Sequence, residues 1–482
     1  MRDTEGARRV SSLKAISRFL LIAAAVLALA PLALVVVVRA QSHAQDPGVR
    51  GGPAGAGNPF SGLTTGQQAV VGTIQATFTE INSVTGGNQG HGGTGNLGLG
   101  PRFDLNSCSG CHAQPATGGS APFTSNLFSV FDEDGALNEM PYFEAVNGSM
   151  LNTHFPTALS GDSIPSGFTQ QLFTITGRFD AGSCDLQQPN FTGAESANDI
   201  SMRTPLPMFG DGLVEIVPEP QILANQAAQC ASQATYEICG TPQLAPDTTI
   251  SRFGWKAQER SVLLFAASAY NIEEGVSNAA FPNELDETNQ ACILNGVPED
   301  HFDFSTLDET EPHRFPGDPE RQALFIRFLQ PPTPAPPNSS TMNGQNQFNT
   351  VGCNICHSSP FPTQFVTPAS AIQALGQQKV NLYSDLLLHH MGNCLADGVI
   401  AGVAGGDMFR TPPLWGVGQR IYFMHDGRTT DIVQAVEDHS DSYCTGGSFT
   451  GYQASEADIV INSFNALSAG NQQDLINFLR SL

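Results

Sequence analysis

The 482-residue sequence predicts a mainly α chain of two similar halves with long loops, and three observations predict it. The pattern Cys-x-x-Cys-His occurs twice, as Cys108-Ser-Gly-Cys111-His112 and Cys353-Asn-Ile-Cys356-His357. Each copy is followed by the same order of segments: an Arg-Thr-Pro stretch, an aromatic-led helix and a closing helix. Between the copies runs Gln330-Pro-Pro-Thr-Pro-Ala-Pro-Pro-Asn-Ser-Ser340, whose prolines exclude helix and favour an extended spacer. Charged residues are only 14% beside 49 Gly and 32 Pro, a composition of loop-rich globular proteins rather than long bundles.

The elements follow in chain order. Arg2, Arg8, Arg9, Lys14 and Arg18 precede an apolar run from Phe19 to Val38 and the small residue Ala40. Residues 1–40 therefore read as a signal peptide cut after Ala40. An uncleaved anchor is the alternative, since about 20 apolar residues just span a bilayer. Either route puts the body outside the cytoplasm, in the periplasm, with membrane contact only if the segment stays. Residues 41–57 are a flexible Gly/Pro/Ala linker. The first half, 58–329, starts with a helix over 66–83, where Val70, Ile74, Phe78 and Ile81 share a face. Residues 330–340 are the spacer, and 341–482 the second half. Met202-Arg203-Thr204-Pro205 answers Phe409-Arg410-Thr411-Pro412, and Arg321–Leu329 answers Gln472–Leu479. From Arg203 to Trp255 the first half spends 52 residues where the second spends 15 from Arg410 to His425, so the first half carries an insertion.

Lys and Arg total 21 against 45 Asp and Glu, a formal charge of −24. Such a surface repels phosphates, which excludes nucleic acid as a partner. The two Cys-x-x-Cys-His motifs have the spacing of c-type haem attachment. Two thiols add to the two vinyl groups on one porphyrin edge, and the imidazole of the next residue reaches the iron. Cys108, Cys111 and His112 thus hold one haem c, and Cys353, Cys356 and His357 a second. Zinc would not need a histidine after both cysteine pairs. The other six cysteines, Cys184, Cys230, Cys239, Cys292, Cys394 and Cys444, are an even set in an oxidising compartment, with room for three disulfides. Of 15 connectivities, Cys230–Cys239 and Cys394–Cys444 each close a loop within one half.

Beyond these motifs, Leu99-Gly-Pro-Arg-Phe103, Arg252-Phe-Gly-Trp-Lys-Ala-Gln258, Tyr383-Ser-Asp-Leu-Leu-Leu-His389 and Phe409-Arg-Thr-Pro-Pro-Leu-Trp-Gly416, continuing to Tyr422-Phe-Met-His-Asp-Gly-Arg428, resemble the di-haem oxidoreductase family of the bacterial di-haem cytochrome c peroxidase superfamily. The resemblance covers residues 58–482. It implies two class I cytochrome c-like haem domains, an N-terminal haem where peroxide or oxygen reacts, and a C-terminal haem that passes electrons. Relatives hold calcium partly through a Thr-x-Pro before His-Asp-Gly. Here those positions are Arg420 and Tyr422, so calcium is not assumed.

In the superfamily the distal ligand of the C-terminal haem lies fourteen residues beyond the histidine of His-Asp-Gly. Counting from His425 gives His439, so iron ligands are expected at His112, His357 and His439. A surface cation at a helix end is the plain alternative for His439. The same count from Trp255 gives Ala269, which cannot bind iron, though a slip of one residue would offer Tyr270 or Ser268, and leaves the first haem open unless His91, His154, Met140, Met150, Met202 or Met208 closes it. An open haem needs an acid–base group, for which Glu215 and Glu274 are the candidates, each alternatively an ordinary exposed glutamate. Trp255 matches the superfamily's aromatic position between the haems, as an electron stepping stone or a core residue. Arg203, Arg252, Arg410 and Arg428 suit haem propionates, and His425 orients a propionate or loop.

The function expected is a peroxidase taking electrons from a small c-type cytochrome or cupredoxin with a basic face. The alternatives are a non-enzymatic electron carrier and an oxygen- or peroxide-dependent oxidase of a protein or organic substrate. Thiol redox cycling is excluded once both Cys-x-x-Cys pairs are thioethers.

Overall fold

The apolar spacing of Val70, Ile74 and Phe78 produces helix α1, Thr65–Thr79. Thr64 caps it, accepting from the Gln67 amide while the Gln67 side chain accepts from the Thr64 amide. The chain turns to extended backbone at Glu80, so the helix stops about one turn before the expected Ser83 and Ile81 lies beyond it. The computed structural model describes residues 44–86, 97–131, 135–157, 169–300, 317–364, 373–447 and 449–482. The expected signal peptide and His91 lie outside them. No helix among the described residues is long and apolar enough to cross a membrane.

The helices that follow α1 include α2 (Cys108–Cys111), α3 (Asp211–Glu215), α4 (Glu219–Ala231), α5 (Val262–Glu274), α6 (Asp318–Phe328), α7 (Ser339–Val351), α8 (Ile432–Glu437), α9 (Asp458–Asn465) and α10 (Ala469–Ser481). Strands are short, forming two- and three-stranded antiparallel ribbons such as Thr169–Gln170, Asn152–His154 and Ser201–Arg203. The fold is mainly helical, as the sequence implies.

The repeated plan is visible in the packing. In the first half α6 lies against α1 and α5, and Phe78 meets Phe325 at 4.8 Å. In the second, α7 lies against α10 and α9, and Phe348 meets Phe478 at 5.5 Å. Each such phenylalanine, almost fully buried, contributes about 1.5–3 kcal/mol. Gly344 allows the α7–α10 crossing, because a Cβ there would collide with the Asp474 carbonyl.

The cores do not divide at the proline spacer. Phe361, Leu375, Leu382, Leu386, Leu387 and Trp415 join the cluster built by Phe78, Phe209, Phe253 and Phe325. Conversely, Ile238 from the first-half insertion joins Phe348, Val433, Phe464 and Leu475. The insertion also carries Gln229 on α4, whose amide donates to the Ile355 carbonyl (2.8 Å) and to Asp385 (2.6 Å), fixing it on the second motif. Buried charges tie the halves: Asp397 is held by Arg203 at 2.5 Å and by Lys256 at 3.0 Å. Cys230–Cys239, Cys394–Cys444 and Cys184–Cys292 are disulfides, and the four cysteines of the two motifs are not.

Candidate haem cavities

Cys108 and Cys111 sit on α2 with His112 just beyond it, and the three side chains line one large cavity with about 1270 Å³ of atom-free space, part of it open to solvent. Cys353, Cys356 and His357, on the turn after α7, line a second of about 1340 Å³. His112 is bonded through Nδ1 to the Gly119 carbonyl at 3.0 Å, and His357 through Nδ1 to the Tyr383 carbonyl at 2.9 Å. A backbone carbonyl on Nδ1 fixes the tautomer that leaves Nε2 as a lone-pair donor. Burial pulls both imidazoles down to about 4, with His439 adding to the effect at His357, so both are neutral at neutral pH.

The opposite walls differ. In the second cavity His439, just past α8, is bonded through Nδ1 to the Ala435 carbonyl at 2.8 Å, and its ring lies 6.4 Å from that of His357. With Nδ1 engaged in each ring, Nε2 is the nitrogen each can offer to the cavity both line. In the first cavity the corresponding wall is α5, which presents Ala266, Ala269, Tyr270, Glu273 and Glu274 on one face. Met150, His154 and Met208 also line this cavity, whereas Met140 and Met202 do not.

The two acid candidates are placed differently. Glu274 lines the first cavity, accepts from the Cys108 thiol at 2.8 Å and from Asn82 at 2.5 Å, and is 2% exposed. Burial pushes its carboxyl up to about 7 against those two hydrogen bonds. Glu215 does not line the cavity. Its carboxylate accepts from Arg327 at 2.7 and 3.0 Å and from the Val262 amide at 2.9 Å, where it caps α5. Burial alone would raise its pKa, but Arg327 and the hydrogen bonds outweigh it and keep Glu215 below its usual value and ionised. A third carboxyl, missed in the sequence, is Glu273, one turn beyond Ala269 on the same face; burial and the neighbouring Glu274 push it up to about 8. The signal for it was the i, i+4 spacing from Ala269.

Trp255 lines both cavities. Its indole N–H donates to the Thr204 carbonyl at 3.0 Å, and its ring meets His425 edge-on at 6.3 Å. Phe409 stacks on the other side of His425 at 4.5 Å. Arg203 lines the first cavity and Arg410 and His425 the second, but the two guanidinium groups are largely engaged by protein. Arg203 is bound by Asp397, and Arg410 donates to the Gly254 and Thr411 carbonyls. Arg252 donates to the Val214, Glu215 and Val217 carbonyls. Arg428 is outside both linings and pairs with Asp426 at 2.6 Å. His389, in the second cavity wall, is clamped between Asp385 (2.9 Å) and Glu456 (2.7 Å), a buried ion-paired imidazolium rather than an available ligand.

A model of the family described as "Di-haem oxidoreductase, putative peroxidase" matches residues 156–482. The chain belongs to the di-haem oxidoreductase family. Haem is thus the cofactor class, and the paired cavities with their cysteine–histidine walls and free imidazole nitrogens fit it; the match begins after the first motif. No curated protein matches the sequence. Among solved structures, hydrazine synthase from Kuenenia stuttgartiensis matches at 18% identity over 36% of this chain and 56% of its own, with a TM-score of 0.22. A MauG-like protein associated with microbial copper homeostasis matches at 13% identity over 57% and 89%, with a TM-score of 0.29. The diheme peroxidase BthA from Burkholderia thailandensis matches at 16% identity over 55% and 87%, also with a TM-score of 0.29. This di-haem oxidoreductase spans little more than half of the hydrazine synthase chain.

Proposed function

We propose that this di-haem oxidoreductase is an exported c-type peroxidase that reduces hydrogen peroxide at the first cavity with electrons relayed through the second. The observation that carries the reading is the asymmetry of the two cavities, with His439 opposite His357 in one and the small side chain of Ala269 on the matching wall of the other. When bound, haem iron supplies the redox chemistry, reacting with small oxidants where one side is open and conducting where both sides are ligated.

The chain's own residues supply the rest. Cys108 with Cys111, and Cys353 with Cys356, would attach the two porphyrins as thioethers, in two class I cytochrome c-like units whose cores interleave across the spacer at 330–340. His112, His357 and His439 would hold the irons. Ala269 would leave its stretch of the first cavity wall without a side chain able to bind iron. Glu273 would hold a proton at neutral pH and exchange it with a peroxide oxygen, while Glu274, which accepts from Asn82, lies beside Cys108 at the attachment edge. Trp255 offers the electron path, since it is in both walls. Two electrons and two protons convert one peroxide to two waters. The donor is a small c-type cytochrome or cupredoxin with a basic face, drawn to a chain of charge −24. Three disulfides support a periplasmic location.

The test is peroxide-dependent oxidation of a reduced small cytochrome by the haem-loaded protein. Turnover is expected, and its absence in a protein carrying two haems would reject the peroxidase. A second reading, an electron carrier with both irons six-coordinate, is favoured by one observation: His154 lines the first cavity. His154→Ala separates them, because only in a carrier closed by His154 would the substitution create a cyanide-binding iron.

A further inference from the structure

The arginines around the cavities have protein partners, with one exception. Arg420 follows the turn Val417–Gln419 and lines the second cavity, with its guanidinium carbon 5.7 Å over the Trp255 ring. Its Nε and Nη2 are buried and have no hydrogen-bond partner among the described residues. No carboxylate acts on it either; burial alone pulls its pKa down to about 10, whereas Arg410 has Asp211 and Asp385 to oppose the same burial. A buried cation without an anion is strongly unfavourable, so this surrounding is incomplete as it stands. The two orphaned nitrogens share one edge of the guanidinium, the fork that engages a carboxylate through two parallel N–H donors.

We propose that Arg420 takes a carboxylate of the porphyrin held in the second cavity and so fixes an ion pair over Trp255. The proposal rests on that cavity being a haem site. Arg420 is then a positioning residue. A lone positive charge above the indole would oppose removal of an electron from Trp255, and the carboxylate offsets that charge. Losing Arg420 leaves the carboxylate negative and unpaired beside the iron, which favours the ferric state and lowers that haem's midpoint potential.

The experiment compares haem-loaded wild type with Arg420→Gln, Arg420→Lys and Arg260→Gln, the last removing an exposed charge. A pyridine haemochrome assay first counts covalent haems; fewer than two in wild type defeats the haem reading itself. With two haems present, spectroelectrochemical titration is expected to show a downward shift for the six-coordinate haem in Arg420→Gln, partly restored in Arg420→Lys and absent in Arg260→Gln. The propionate bending bands in resonance Raman spectra are expected to shift in both Arg420 variants. Should Arg420→Gln not fold, the Lys variant still decides, since it keeps the charge but loses the fork. Two haems with wild-type potentials and wild-type propionate bands in the Arg420 variants would overturn the proposal.

Discussion

The imidazole of His439 lies 6.4 Å from that of His357, and each ring has its Nδ1 bonded to a backbone carbonyl. Two imidazoles so placed would hold one iron between them, and imidazole in place of thioether keeps a haem potential low. His439→Met is therefore expected to raise the midpoint potential of the second haem, and His439→Ala to convert its low-spin signal to high-spin. Redox titration with optical detection checks both. An unchanged spectrum in His439→Ala would remove His439 from the ligand set.

Glu273 and Glu215 are expected to separate chemistry from stability. Glu273→Gln removes the proton-bearing group beside Ala269 and should lower peroxide turnover by about 10²–10⁴-fold, with haem content unchanged. Glu215→Gln breaks the Arg327 pair and the cap on α5, and should cost about 1–3 kcal/mol in urea unfolding while turnover per folded molecule stays near wild type. Steady-state kinetics and denaturation on the same preparations decide it.

Asp397 binds Arg203 from one side and Lys256 from the other, and all three side chains are buried. Asp397→Asn would leave two cations facing each other without their anion. A loss of about 3–5 kcal/mol is expected, measured by urea unfolding. A change within experimental error would mean the triad is not what joins the halves.

The pH dependence of stability has two limbs. Although burial opposes it, Arg203 and Lys256 hold Asp397 down to about 2, so its contribution is present above its unfolded value of 3.8 and is lost as pH falls through about 2. Burial pushes Glu144 up to about 8 and, with Glu287, Glu284 up to about 7. Between their unfolded value of 4.5 and those values the folded chain holds the extra protons, so stability declines as pH rises across that range. Thermal melts should therefore show a higher midpoint in mildly acidic buffer than above about pH 8. A midpoint that rises steadily to alkaline pH would contradict this.

What could be read from the sequence was what covalent chemistry and local period dictate. The spacing of Cys108, Cys111 and His112 is the one a porphyrin edge requires, and the counts from His425 and Trp255 lead to His439 and Ala269, which line the second and first cavities. Glu215 illustrates the limit: its partner Arg327 is 112 residues away, so nothing local distinguishes an ion-paired cap from a free acid. Arg203 was expected at a propionate, yet Asp397, 194 residues on, engages it. The reach of Gln229 across to Ile355 was equally hidden, because an insertion's length says nothing of where it lands. Glu273 was within reach of the sequence through its spacing from Ala269 on one helix face.

The proposed division of labour needs one open iron and one closed iron. Low-temperature EPR of the ferric, haem-loaded protein, with and without one equivalent of peroxide, tests it most directly. One high-spin and one low-spin signal, with the high-spin signal lost on peroxide addition, is the expected result. Two low-spin signals indifferent to peroxide, in both the oxidised and the half-reduced protein, would contradict it.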